Sequence, residues 1–119
     1  MTHYEERLER DLGKLEKRVR RMGGAVVGAV RSATKSALTR DEALATQTIL
    51  GDLPINRQAR ELDHRCHIFI ARHLPSAGHL RYVSSAMRLS KTLERVGDYA
   101  ETMSRASVQL ISTPTESVK

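Results

Sequence analysis

The stretch "RLERDLGKLEKRVRRMGGAVVGAV", Arg7 to Val30, decides how the chain folds. Leu8, Leu12, Leu15, Val19, Met22, Val26 and Ala29 recur at intervals of three or four residues. That is the period of one helix face, and charged residues fill the positions between. The pattern continues through Ala33 and Ala37, so one long helix is predicted over about 4–38. Gly23 and Gly24 interrupt the seam. Each costs about 1 kcal/mol relative to Ala in a helix interior. Close approach of a neighbouring helix, helped by Gly28 and Ala29, is the expected reason, and the helix either runs on or bends there.

The rest of the chain repeats this plan. "TRDE", Thr39 to Glu42, resembles a capping box with Thr39 as the cap, which sets the first turn. A second helix over about 41–73 carries Ile55, Ala59, Leu62, Cys66 and Phe69 on one stripe. Gly51 and Pro54 predict either a kink around 51–54 or a short helical turn before it. In "HLPSAG", His73 to Gly78, Pro75 stops this helix and Ser76 is an N-cap. A third helix over about 76–111 carries Leu80, Val83, Met87, Leu93, Val96, Ala100 and Met103. "STPTESVK", 112–119, is polar and is expected to be a disordered tail or linker. The fold is therefore all-α: one domain over about 1–111, an elongated antiparallel three-helix bundle with helices of roughly 50 Å. Three helices this long leave an apolar seam over for a partner.

Composition limits the function. One cysteine, Cys66, excludes an intramolecular disulfide. No apolar run is long enough to span a bilayer, and "MTHYEERLER" lacks the apolar stretch of a signal peptide. A cytoplasmic protein is expected. The formal charge is +6, which suits an acidic partner without naming one. The densest basic run is "KRVRR", Lys17 to Arg21, and Arg31, Lys35 and Arg40 follow with no acid from 17 to 40. It is either a solvated helix face or a functional patch, and the second reading makes the chain a binder of nucleic acid or an anionic membrane surface. The helices are too long for a helix-turn-helix, and the aromatics are not interleaved with the basic residues as a stacking platform needs.

In "LERVGDYAE", Glu94 and Asp98 place two carboxylates on one helix face, a like-charge pair that costs about 0.2–0.5 kcal/mol. Oxygen donors so placed suit a divalent or iron ion. Asp63 meets them across an antiparallel bundle, and Asp52 lies upstream on the same helix. Against this, Lys91 and Arg95 sit three residues before the two acids and offer local salt bridges. His64, Cys66 and His67 invite a zinc reading, but HExxH spacing and a second cysteine are absent, and Cys66 falls on the buried stripe. His73 and His79 flank the proline turn and are expected to be exposed. A di-metal bundle enzyme needs two Glu-x-x-His pairs, and Glu61 with His64 is the one present. No glycine stretch makes a phosphate-cradling loop, so no catalytic residue is assigned.

The order of these motifs resembles the PhoU family of phosphate-uptake regulators. The matching stretches are "MGGAVVGAVRSA", "RDEALATQTILGDLPIN", "ELDHRCHIFIARHLPSAGHLRYVSSAMR" and "LERVGDYAE". The resemblance implies an all-α three-helix repeat, usually present twice in a six-helix protein. It implies a non-enzymatic regulator acting with a phosphate ABC transporter and its partner sensor histidine kinase. It also implies iron or other divalent ions (Fe, Mn, Mg and Zn are not distinguished) on (E/D)xxxD motifs. The helix-three motif is intact as Glu94 and Asp98. The helix-two motif aligns with "ARELD", where Asp63 is present but Ala59 replaces the first acid. Asp52 and Asn56 match polar positions just upstream. Three acids instead of four should hold fewer or weaker ions. One repeat instead of two predicts a homodimer that joins helices one and three into a six-helix assembly.

Overall fold

A computed structural model describes residues 2–113. It consists of α1 (His3–Thr39), α2 (Glu42–His73) and α3 (Ala77–Ser112), with no strand among the described residues. Each helix packs on both others in a bundle of 73 × 18 × 17 Å. The expected polar tail lies outside the described residues from 114 onward.

The connections are short because both caps are tight. Arg40 closes α1 in the left-handed region at φ 57°, donating its backbone N–H to Ser36 O. Its guanidinium also reaches the carbonyls of Leu110 and Ile111, at 3.4 Å each, near the end of α3. Asp41 then caps α2, accepting from Leu44 N at 3.0 Å. This corrects the capping-box expectation. Thr39 is still helical, and its hydroxyl donates to Lys35 O at 2.7 Å. Asp41→Ala should therefore cost about 1 kcal/mol of stability in urea melts, while Thr39→Ala should cost only a few tenths. The reverse order would restore Thr39 as the cap. Ser76 is the N-cap residue of α3, as predicted, although its side chain makes no cap bond.

Pro54 sits inside an uninterrupted α2. It leaves the Leu50 carbonyl without its helical donor, and Leu50 is exposed, so water can take that place.

The core changes character along the bundle. At the end near the α2–α3 turn, Leu8, Leu15, Met22, Leu62, Phe69 and Val83 fill it. At the other end Ala33, Ser36, Ala45, Thr48, Ala100, Ser104 and Ser107 do. Small side chains let helices approach closely there, and Gly97 is the tightest point. A Cβ at Gly97 would lie 3.2 Å from Ile55 Cγ2 and 3.7 Å from Asp52 Oδ1. The expectation for α1 is corrected: a Cβ at Gly23, Gly24 or Gly28 would meet no neighbouring atom within 4 Å, so no helix crosses them closely.

His73 also departs from expectation. It is buried against Phe69, with ring centroids 4.8 Å apart, and its Nε2 lies 2.7 Å from Asp11 Oδ2. The Tyr4 hydroxyl donates to the His73 carbonyl. The bond to His73 holds the Asp11 carboxyl below its ordinary range; burial opposes this, and Arg72 at 3.2 Å supports it.

A second apolar stripe remains uncovered. Tyr82, Leu89, Val96, Met103 and Leu110 recur every seven residues on α3, and all but the half-buried Val96 are exposed. Tyr82 lies beside Glu16 and Arg20, so the stripe runs along the α1 side of α3.

Candidate metal centre

The heptad phase of α2 and α3 brings acids from both helices together where Gly97 lets the backbones close. Asp52, Asp98 and Glu101 each offer a carboxylate oxygen, and the three oxygens lie within 4.8 Å of one another. Asp52 projects from α2. Asp98 and Glu101, at i and i+3, share one face of α3.

Asp52 is the buried member, at 8% exposure. Its Oδ2 accepts from Asn56 Nδ2 at 3.1 Å, one turn along α2. Its Oδ1 is buried with no hydrogen-bond partner. Burial first, then the hydrogen bond and charge of Glu101 and the charge of Asp98, push the Asp52 carboxyl up to about 7. Glu101 is held low, first by the bond from Asp52 and then by Arg105, whose Nη2 lies 2.7 Å away.

An unpartnered buried oxygen beside two further carboxylates fits a hard or intermediate cation better than it fits a solvated surface. Such an ion would neutralise the like charges that crowd the site. The donor set has no sulfur or imidazole, which disfavours soft ions.

Of the four predicted ligands, Asp52 and Asp98 come together here. Asp63 and Glu94 do face each other across α2 and α3, but in a separate shallow cleft of about 330 Å³ with Arg60 and Lys91. Asp63 is eleven residues from Asp52, roughly 16 Å along the helix. Among the described residues, neither Asp98 nor Glu94 has a basic group within 4 Å, so the local salt bridges from Lys91 and Arg95 do not form. Sequence spacing does not single out Glu101. Its signal is the i, i+3 relation to Asp98, which the more conspicuous Glu94–Asp98 pair obscures.

Other candidate chemistry falls away. Cys66 is fully buried, and desolvation with the nearby Asp63 charge pushes its thiol up to about 11, away from nucleophilic use. His64 and His67 are exposed, and His67 Nδ1 lies 2.8 Å from the Asp63 carbonyl. No described helix is long and apolar enough to cross a membrane.

The fold is thus an elongated all-α three-helix bundle with acids gathered between its second and third helices. The model of the PhoU domain matches residues 19–107, and the chain belongs to the PhoU family. Over 108 residues it is 32% identical to a phosphate-specific transport system accessory protein PhoU homolog of Pseudomonas putida, covering 91% of this chain and 42% of that one. A homolog with the same description from Aquifex aeolicus (strain VF5) is 30% identical over 108 residues, or 91% of this chain and 49% of that one. The accessory protein PhoU of Escherichia coli (strain K12) is 29% identical over 110 residues, 92% and 46% of the two chains. The chain thus spans less than half the length of these relatives. No solved structure matches it significantly.

Proposed function

We propose that this chain is a regulatory module of phosphate uptake that works by binding and not by catalysis. The observation that carries the reading is the match of nine-tenths of the chain to accessory proteins of phosphate-specific transport systems. In this reading it docks on the transporter or on an associated sensor kinase, and a divalent or iron ion held by Asp52, Asp98 and Glu101 shapes the docking surface. The buried, unpartnered Oδ1 of Asp52 supports the metal part of the reading. A second copy, packed along the α3 heptad stripe, completes a six-helix assembly.

The regulatory role is tested by deleting the gene and measuring initial rates of radiolabelled phosphate uptake in phosphate-replete medium. Uptake should rise severalfold and return to normal when the gene is supplied in trans. Unchanged uptake, together with unchanged transporter expression, would remove the reading.

A further inference from the structure

The structure assigns a second ligand site to this chain: a basic cleft between α1 and α2 that takes a linear chain of phosphates. The cleft encloses about 240 Å³. Lys14, Lys17, Arg18 and Arg21 line it from α1, and Arg65 and Arg72 from α2. It lies on the opposite side of α2 from the acidic group, so it is distinct from the candidate metal centre and does not depend on it.

The arrangement is more specific than a charged helix face. Lys14, Lys17 or Arg18, and Arg21 step along α1 at i, i+3 or i+4, and i+7, which places them in one row. That row is about 10 Å long, from the helical rise. Arg65 and Arg72 form a row of the same length on the antiparallel helix. Two rails of cations therefore face each other over a floor of Leu15, Ile68 and Phe69. An apolar floor lowers the local dielectric and strengthens attraction for an anion in the cleft.

The charge is only partly answered from within. Asp11 lies 3.2 Å from Arg72, and Glu61 lies 2.8 Å from Arg65 and 3.8 Å from Arg18. Among the described residues, Lys14, Lys17 and Arg21 have no carboxylate within 4 Å. Six cations against two acids leave an excess of four. A single phosphate, at about −2, cancels only part of that excess and reaches only one end of rails about 10 Å long. A chain of phosphates answers both the charge and the length. Inorganic polyphosphate and a nucleoside triphosphate share this chemistry, and the test separates them.

Titration calorimetry in metal-free buffer, which keeps the acidic group silent, compares inorganic triphosphate, ATP and orthophosphate on the purified chain. Triphosphate is expected to bind once per chain and at least about 10-fold more tightly than orthophosphate. ATP that binds no more tightly than triphosphate identifies the inorganic chain as ligand; ATP that binds more tightly identifies a nucleotide. In either case the variant Lys14→Gln/Lys17→Gln/Arg21→Gln, whose residues are free of ion pairs and tolerate change, should lose at least about 10-fold in affinity while its melting temperature is kept. Arg31→Gln/Lys35→Gln, on the same helix outside the cleft, should retain wild-type affinity. The proposal is overturned if orthophosphate binds as tightly as triphosphate, if both variants lose affinity equally, or if DNA or phosphatidylglycerol vesicles bind where triphosphate does not.

Discussion

Asp52→Asn should abolish cation binding and at the same time leave the metal-free chain at least as stable as before. The two effects have opposite signs because the same carboxylate is a ligand in one state and a burden in the other. Without an ion, Asp52 is a buried acid facing Glu101 and Asp98, with Oδ1 unsatisfied. Removing a buried charge that lacks a counter-charge relieves a desolvation cost. An asparagine carries no charge and can donate through Nδ2 toward the acids of α3, so a gain of about 1 kcal/mol is expected. With an ion, one of three anionic donors is lost, and affinity should fall by at least about 100-fold, beyond what outer-shell changes cause. Calorimetry with Mn²⁺ or Fe²⁺ measures the first effect, and thermal melts with and without the ion measure the second. Wild-type protein in 100-fold excess of ion over its Kd should gain about 2.7 kcal/mol from mass action, and the variant should gain nothing. Asp63→Asn and Glu94→Gln provide the contrast. They line the other cleft, so metal affinity should barely change. A loss with these two as large as with Asp52→Asn would return the site to the acids that sequence spacing favours.

That contrast also marks how far the sequence is legible. The helices can be read because a period of three and four residues persists along each of them, and it outweighs the local objections of Gly23, Gly24, Gly51 and Pro54. Proline and the caps bound them closely. The first turn falls where the sequence places it, within 39–42, but its cap is misassigned, because Thr39 and Asp41 are both good caps two residues apart and the decision falls to Arg40 adopting φ 57°. His73 looks exposed beside a proline, but its partner Asp11 is 62 residues away in sequence. The acidic site is hidden for a similar reason. Which acids meet depends on the relative phase of α2 and α3, and Gly97 sets their approach at Ile55 and Asp52. Glycines on α1 attract the close-packing argument because they are consecutive, yet the glycine that permits close packing stands alone on α3.

The remaining stripe leads to the other large expected effect. Tyr82, Leu89, Val96, Met103 and Leu110 keep a seven-residue interval, and of these Val96 alone packs on the intramolecular core, the other four being exposed. A heptad stripe on an exposed helix face is the pattern of a coiled-coil seam, and a contiguous apolar strip of this kind marks an interaction surface. A second copy offers the identical stripe, and a two-fold interface needs only that self-complementarity. The chain spans less than half the length of the relatives it matches. Light scattering should give twice the chain mass. Leu89→Glu/Met103→Glu should reduce it to one chain, since four like charges would be buried at the seam. Both residues are more than 40% exposed in the single bundle, at 43% and 41%, so its own stability should move by no more than about 0.5 kcal/mol. Leu50→Glu/Leu53→Glu, more exposed still but on α2, should remain a dimer. Single-chain mass for the wild type at every concentration would assign the stripe to a different protein, and dissociation by the α2 variant would move the interface there.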